Sequence, residues 1–132
     1  MSGLYVGFCS ALLRAEVNYL TDSIRVACID DTDYAVNLDA HDYLSQIPTG
    51  AVVATSGDLA GKQIVNGWAK AQTLTIPAVT GDIFEALVVY KWTGNAATSR
   101  LMAYLDSDLY QTITPNGADC RVFWNTSGIF RI

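Results

Sequence analysis

The chain has 132 residues, 51% hydrophobic and 16% charged, so it can bury enough apolar surface for one folded domain and is not intrinsically disordered. The chain has eight basic residues, dispersed along it, and thirteen acidic ones, and the resulting net charge of −5 disfavours nucleic acid and an anionic membrane surface, so we predict neither as a partner. The longest apolar stretch, Leu4 to Leu13, is too short to span a bilayer, and Met1-Ser2-Gly3 lacks the basic residues that begin a secretory signal.

The first half of the chain predicts two short helices and a well-defined strand. Apolar residues between Phe8 and Ala15 recur at near-helical spacing, which predicts a short helix within residues 1–15 that leads into a strand at Glu16–Leu20. Alternating apolar residues predict a strand over Ser23–Ile29. Asp39–Ile47 begins with a helix N-cap residue and ends before a proline, so it predicts a second short helix.

The second half predicts mainly strands. Glu85–Trp92 is the most β-prone run and lacks polar alternation, which indicates a central strand with both faces covered. Ser99–Leu105 follows it after a short loop and is predicted to be its antiparallel partner. The other predicted strands lie at residues 51–55, 62–66, 72–76, 119–124 and 129–132.

This order of elements contains no alternation of strands with helices. It predicts an all-β fold, an antiparallel two-sheet β-sandwich with one or two short helices. We expect a single sandwich domain over residues 1–132, with residues 1–15 as an N-terminal helical or interface segment.

The side chains that carry catalysis or bind metals are sparse. His41 is the only histidine, and no serine or cysteine is tied to it by sequence, so a hydrolase that uses His41 with Asp42 as its base is disfavoured. Cys9, Cys28 and Cys120 are isolated, which predicts free thiols buried in a reducing compartment and no zinc site. We predict no enzyme activity, no catalytic residue, no cofactor and no metal centre.

One acidic segment leaves a question about calcium open. The aspartates between Asp30 and Asp42 are the densest carboxylate cluster in the chain. An EF-hand loop needs Gly at its sixth position and Glu at its twelfth, but counted from Asp31 these positions hold Val36 and Asp42. The pattern therefore favours a solvated loop, with an irregular calcium site as the alternative.

Aromatic residues make up 11% of the chain, more than a small core readily encloses. The surplus predicts a subunit interface, because aromatic side chains anchor such surfaces. We therefore expect a homodimer or homotrimer. The predicted interface residues are Leu4, Tyr5, Val6, Phe8, Tyr90 and Trp92.

From about Leu12 to the C-terminus the sequence resembles a family of small structural proteins of tailed bacteriophages. The resemblance is carried by residues 20–26, 33–44 and 53–57 in the first half of the chain. In the second half it is carried by residues 78–82, 85–91, 93–99, 101–106, 113–119, 124–125 and 129–132.

The resemblance implies a virion component. Small, acidic, all-β members of this class look like capsid decoration (cement) proteins, which bind the outside of the head shell. It implies the major capsid protein and further copies of the chain as partners, and a location on the capsid exterior after synthesis in the host bacterial cytoplasm. A neck, tail or baseplate component, or a carbohydrate-binding β-sandwich module that uses an exposed aromatic such as Trp92, are the alternatives.

Overall fold

The structure, a computed structural model, describes residues 2–106 and 112–132. It is mostly β, with 34% of the residues in strands and 11% in helices, and its sheets are antiparallel. The predicted all-β antiparallel fold is confirmed. The elements in chain order are β1 (Gly3–Leu4), α1 (Val6–Leu13), β2 (Ile24–Ile29), β3 (Val52–Thr55), β4 (Gln63–Val65), β5 (Trp68–Lys70), β6 (Leu74–Ile76), β7 (Ala86–Lys91), β8 (Leu101–Leu105), β9 (Cys120–Val122) and β10 (Phe130–Arg131), with 3₁₀ turns at Leu44–Gln46 and Thr49–Ala51.

The largest sheet has five strands in the order β1-β8-β7-β2-β3. β7 occupies its middle, hydrogen-bonded to β8 on one side and β2 on the other. All of β7 except Lys91 is buried, since both faces of this sheet are covered. The central position of β7 was predicted from the absence of polar alternation, and its pairing with β8 was predicted from the short loop that joins the two strands.

Two smaller sheets, β10-β5-β4 and β6-β9, lie over one face of the large sheet. Leu87 and Leu105 are register partners on that face. Leu105 borders the same cleft as Phe130 of β10, and Leu87 the same cleft as Val122 of β9. The two smaller sheets thus share the second layer of the fold.

The opposite face of the large sheet is covered by the segment between β2 and β3. Tyr34 packs edge-on against Tyr104 of β8, with ring centroids 6.2 Å apart. The helix predicted over Asp39–Ile47 is wrong except for the 3₁₀ turn at its end. Tertiary hydrogen bonds replace the helical ones. The backbone amides of Leu44 and Ser45 donate to the carbonyls of Ser99 and Ala96, and not to carbonyls one turn earlier in the same segment.

The N-terminal helix is confirmed as α1, but the strand predicted at Glu16–Leu20 is wrong. This segment forms a local turn instead. The backbone amide of Asp22 donates to the Asn18 carbonyl at 2.9 Å, and the Asn18 amide donates to the Asp22 carboxylate at 2.7 Å. The three cysteines are free thiols; Cys28 and Cys120 are buried as predicted, whereas Cys9 is partly exposed.

Candidate functional site

Three of the predicted interface residues belong to the core of the subunit. The side chains of Tyr5, Phe8 and Tyr90 are 0%, 1% and 2% exposed. The Phe8 ring packs edge to face against the ring of Phe130 in β10, with ring centroids 5.7 Å apart. The helix α1 therefore packs against the sheet β10-β5-β4 through this buried contact. The interpretation of these three aromatic residues as surface anchors is therefore wrong.

The other three predicted residues reach the surface to different extents. Leu4 is half-buried where β1 pairs with β8, and Val6 is 48% exposed on α1. Trp92 is half-buried, and the Arg25 guanidinium lies 5.4 Å from the centroid of its ring. Whether Leu4, Val6 and Trp92 contact another molecule stays a prediction.

An exposed apolar surface that the sequence did not predict lies between α1 and the sheet β10-β5-β4. It is a groove of about 300 Å³, which we call the aliphatic groove. Two isoleucines at its rim, Ile64 and Ile132, are 55% and 65% exposed. Its main apolar lining residues are Phe8, Leu12, Val17, Tyr19, Ile64 and Ile132.

The groove borders an open sheet edge. β4 is the last strand of its sheet and is followed by a turn at Asn66 and Gly67, both at positive φ. In a hairpin closed by a two-residue turn the pair beside the turn is hydrogen-bonded and the next pair is not. Ile64, paired with Ala69, holds that second position, so its amide and carbonyl point away from β5. An open edge of this kind can pair with another strand.

His41 lies at the end of a hydrogen-bonded chain of phenols. The Tyr5 and Tyr34 hydroxyls are 3.0 Å apart, and the Tyr34 hydroxyl is 2.9 Å from His41 Nδ1. Nδ1 also accepts the Asn37 backbone amide at 3.3 Å, so it is an acceptor to which the Tyr34 hydroxyl donates. Burial raises the pKa of both tyrosines, which keeps the phenols protonated. Among the described residues, the imidazole is hydrogen-bonded to the Tyr34 hydroxyl and the Asn37 backbone amide. Neither group is a serine or cysteine nucleophile that the imidazole could activate.

The structure gathers part of the acidic segment around Asp30. Carboxylate oxygens of Asp30, Asp31 and Glu85 lie within 4.8 Å of one another, and a second group joins Asp30 to Asp33 and Asp82. Such oxygens are the ligands that calcium prefers, although each group supplies fewer than the six to eight that it takes. The calcium alternative stays a prediction.

The other end of the acidic segment is separate from this cluster. Asp42 lies 3.8 Å from the Arg100 guanidinium, and the same guanidinium lies 4.9 Å from the centroid of the Tyr43 ring. The aspartates between positions 30 and 42 therefore do not form one ion-binding loop.

No family model matches the chain, and no curated protein matches it at a significant level. Within residues 2–106 and 112–132, no helix has the length and hydrophobicity needed to cross a bilayer.

Proposed function

We propose that the chain is a structural virion protein of a tailed bacteriophage, a capsid decoration protein that binds the outside of the head shell and associates with copies of itself. The observation that carries the proposal is the aliphatic groove beside the open edge of β4. An exposed apolar surface rimmed by a free strand offers both buried area and backbone hydrogen bonds to another protein. The sequence resemblance described above supports the location on the head.

The large sheet supports such a role because α1, which forms one wall of the groove, packs against β8 of this sheet. All five residues of β8 are buried, as are five of the six residues of β7. A preorganised surface loses little conformational entropy on binding. A protein that binds neighbouring capsomers only in their mature arrangement stabilises that arrangement by its differential affinity, without any chemical step.

Self-association is tested by placing a charge on the edge strand. Ile64→Lys puts a lysine beside the groove, where it opposes strand pairing and burial of apolar surface. The matched control is Ile83→Lys, because Ile83 is 46% exposed and lies outside the groove. In sedimentation equilibrium we expect the wild type and Ile83→Lys to be dimers or trimers and Ile64→Lys to be a monomer. A monomeric wild type would contradict self-association.

Binding to the head is tested with particles of the phage that encodes the chain. Purified heads stripped of accessory proteins are mixed with the wild-type chain, and the bound copy number is measured by quantitative mass spectrometry of sedimented particles. A copy number near that of the major capsid protein is expected. A handful of copies per complete virion, or no binding to heads, would overturn the decoration role, and the first result would favour the neck, tail or baseplate.

A further inference from the structure

A second concave surface, distinct from the aliphatic groove, lies between β5 and the loop that joins β9 to β10. It is a cleft of about 530 Å³, within the size range of small-ligand sites. Two tryptophans from distant parts of the chain flank it, and a polar turn forms its rim. Its main lining residues are Trp68, Trp124, Asn125, Thr126, Ser127 and Gly128.

The walls of the cleft are held by backbone contacts. The Trp124 indole donates from Nε1 to the Gln72 carbonyl at 3.1 Å. Gly128 has φ +139°, and a Cβ there would lie 2.9 Å from the Ala69 carbonyl oxygen and 3.1 Å from Trp68 Cβ. Only a glycine lets the loop backbone approach Trp68 this closely. Both indoles, each half-buried, are thereby positioned before any ligand arrives.

The polar rim has unused hydrogen-bonding capacity. Asn125, Thr126 and Ser127 are exposed, and their turn is closed by the Gly128 amide, which donates to the Asn125 carbonyl at 3.0 Å. Within the described chain, the side chains of these three residues make no hydrogen bond to protein. One amide and two hydroxyls, each able to donate and accept, therefore face solvent beside two indoles.

The cleft continues past Trp124 into a smaller recess of about 150 Å³. Lys70 and Thr73 line this recess together with Asn125 and Thr126. The combined surface carries a single basic side chain, that of Lys70. It lacks the cluster of cations that a nucleic-acid strand requires, in keeping with the net charge of −5.

We infer that the Trp68–Trp124 cleft is a saccharide-binding site for a neutral glycan. A sugar ring has an apolar C–H face and a hydroxyl-bearing edge, which complement an indole and a row of amide and hydroxyl groups, respectively. The ring packs against an indole, and its hydroxyls bond to the turn Asn125–Ser127. This site is additional to the decoration role and does not depend on it.

Trp92, the aromatic residue that the sequence suggested for sugar binding, is poorly placed for it. The Arg25 guanidinium stands over its ring and Tyr90 packs edge-on against it at 6.3 Å between centroids. Trp92 does not line the cleft or its recess, so Trp92→Ala is the matched control for Trp124→Ala.

The test begins with a glycan array of neutral and acidic bacterial oligosaccharides, probed with the labelled wild-type chain. Titration calorimetry with the best neutral oligosaccharide then compares the variants. We expect Trp124→Ala to weaken binding by at least ~10-fold, Asn125→Ala and Ser127→Ala by ~3-fold or more each, and Trp92→Ala to leave it unchanged. Asn125 and Ser127 are exposed, so their variants keep the test valid if Trp124→Ala does not fold.

The proposal would be overturned by an array with no bound glycan, or by binding that survives both Trp124→Ala and the two turn variants. A proline-rich peptide and a single-stranded oligonucleotide are titrated in parallel. If either binds with the same dependence on Trp124 while neutral glycans do not, the cleft belongs to another ligand class and the saccharide assignment is wrong.

Discussion

Two carboxylates occupy opposite electrostatic environments. The pKa of Glu85 is raised by burial and by the negative charges of Asp31 and Asp30, although the Asp31 amide donates to its Oε2 at 3.0 Å. The pKa of Asp58 is lowered by hydrogen bonds from the Ser23 hydroxyl and from the Arg25 guanidinium, which lies 2.8 Å away. Ionised Glu85 therefore costs stability at neutral pH, whereas ionised Asp58 contributes to it.

The first prediction is that Glu85→Gln stabilises the protein at pH 7. The amide keeps an acceptor for the Asp31 amide and removes the repulsion, so we expect the melting temperature to rise by ~1–4 °C. Because the folded-state pKa of Glu85 is raised, the advantage should disappear as the pH falls below the ordinary value of 4.5, where this carboxyl is protonated in both states. The measurement is thermal unfolding followed by circular dichroism in EDTA.

Asp58→Asn is the control of opposite sign. Its exposed ion pair contributes at most ~1 kcal/mol. Since the pKa of Asp58 is lowered in the folded state, this contribution is present at neutral pH and lost as the pH falls through the folded-state value. A Glu85→Gln variant that is less stable than the wild type at pH 7 in EDTA would contradict the electrostatic reading of the acidic cluster.

At the scale of elements, the end of α1 shows a residue in an unfavourable conformation. Ala15 follows the C-cap Arg14 with φ +58°, in the left-handed region that favours glycine. The Ala15 amide donates to the Leu12 carbonyl and the Glu16 amide to the Ala11 carbonyl, which is the hydrogen-bond pattern of a Schellman motif.

The second prediction follows from this geometry. Ala15→Gly should raise the free energy of unfolding by ~0.5–1 kcal/mol, because relief of left-handed strain outweighs the added freedom of the unfolded chain. Urea denaturation measures the change. Ala97→Gly, in an exposed turn without positive φ, should be neutral or slightly destabilising. Equal effects of the two substitutions would refute the argument.

Strands with strong local patterns were predictable, whereas weakly patterned segments were not. The continuous apolar run of β7 identified the central strand because burial on both faces removes alternation. β5 was missed although Asn66-Gly67 before it is a strong hairpin signal. The helix predicted at Asp39–Ile47 failed because its amides bond to residues 96–99, a partner that no local pattern reveals.

At the scale of the whole molecule, the three cysteine thiols differ in how deeply they are buried. Cys28 is 0% exposed in β2 of the large sheet, and burial, with a smaller contribution from nearby Cys120, raises its pKa to about 12. Burial also raises the pKa of Cys120, whereas Cys9 on α1 is partly exposed. A thiol reacts as its thiolate, and burial that raises the thiol pKa lowers the thiolate fraction. The rate of reaction should therefore increase with the exposure of the cysteine.

The third prediction is the order of alkylation. With iodoacetamide at pH 8, Cys9 should react first and Cys28 last, at a rate limited by opening of the large sheet. Peptide mass spectrometry after timed quenching measures each site, and a sample unfolded in urea provides the control in which all three react together. Cys28 labelled as fast as Cys9 in the native protein would show that the large sheet does not exclude solvent.

The sequence alone determined the class of fold, the central strand and its hairpin partner, and the free thiols that are buried at Cys28 and Cys120, because hydrophobic periodicity and cysteine spacing are local properties. The tertiary structure decided which aromatic residues are core and which remain at the surface. It also decided that Trp68 faces the turn after Trp124, and that Asp82 and Glu85 join Asp30. These outcomes depend on strand pairing between distant segments, which composition and periodicity do not encode.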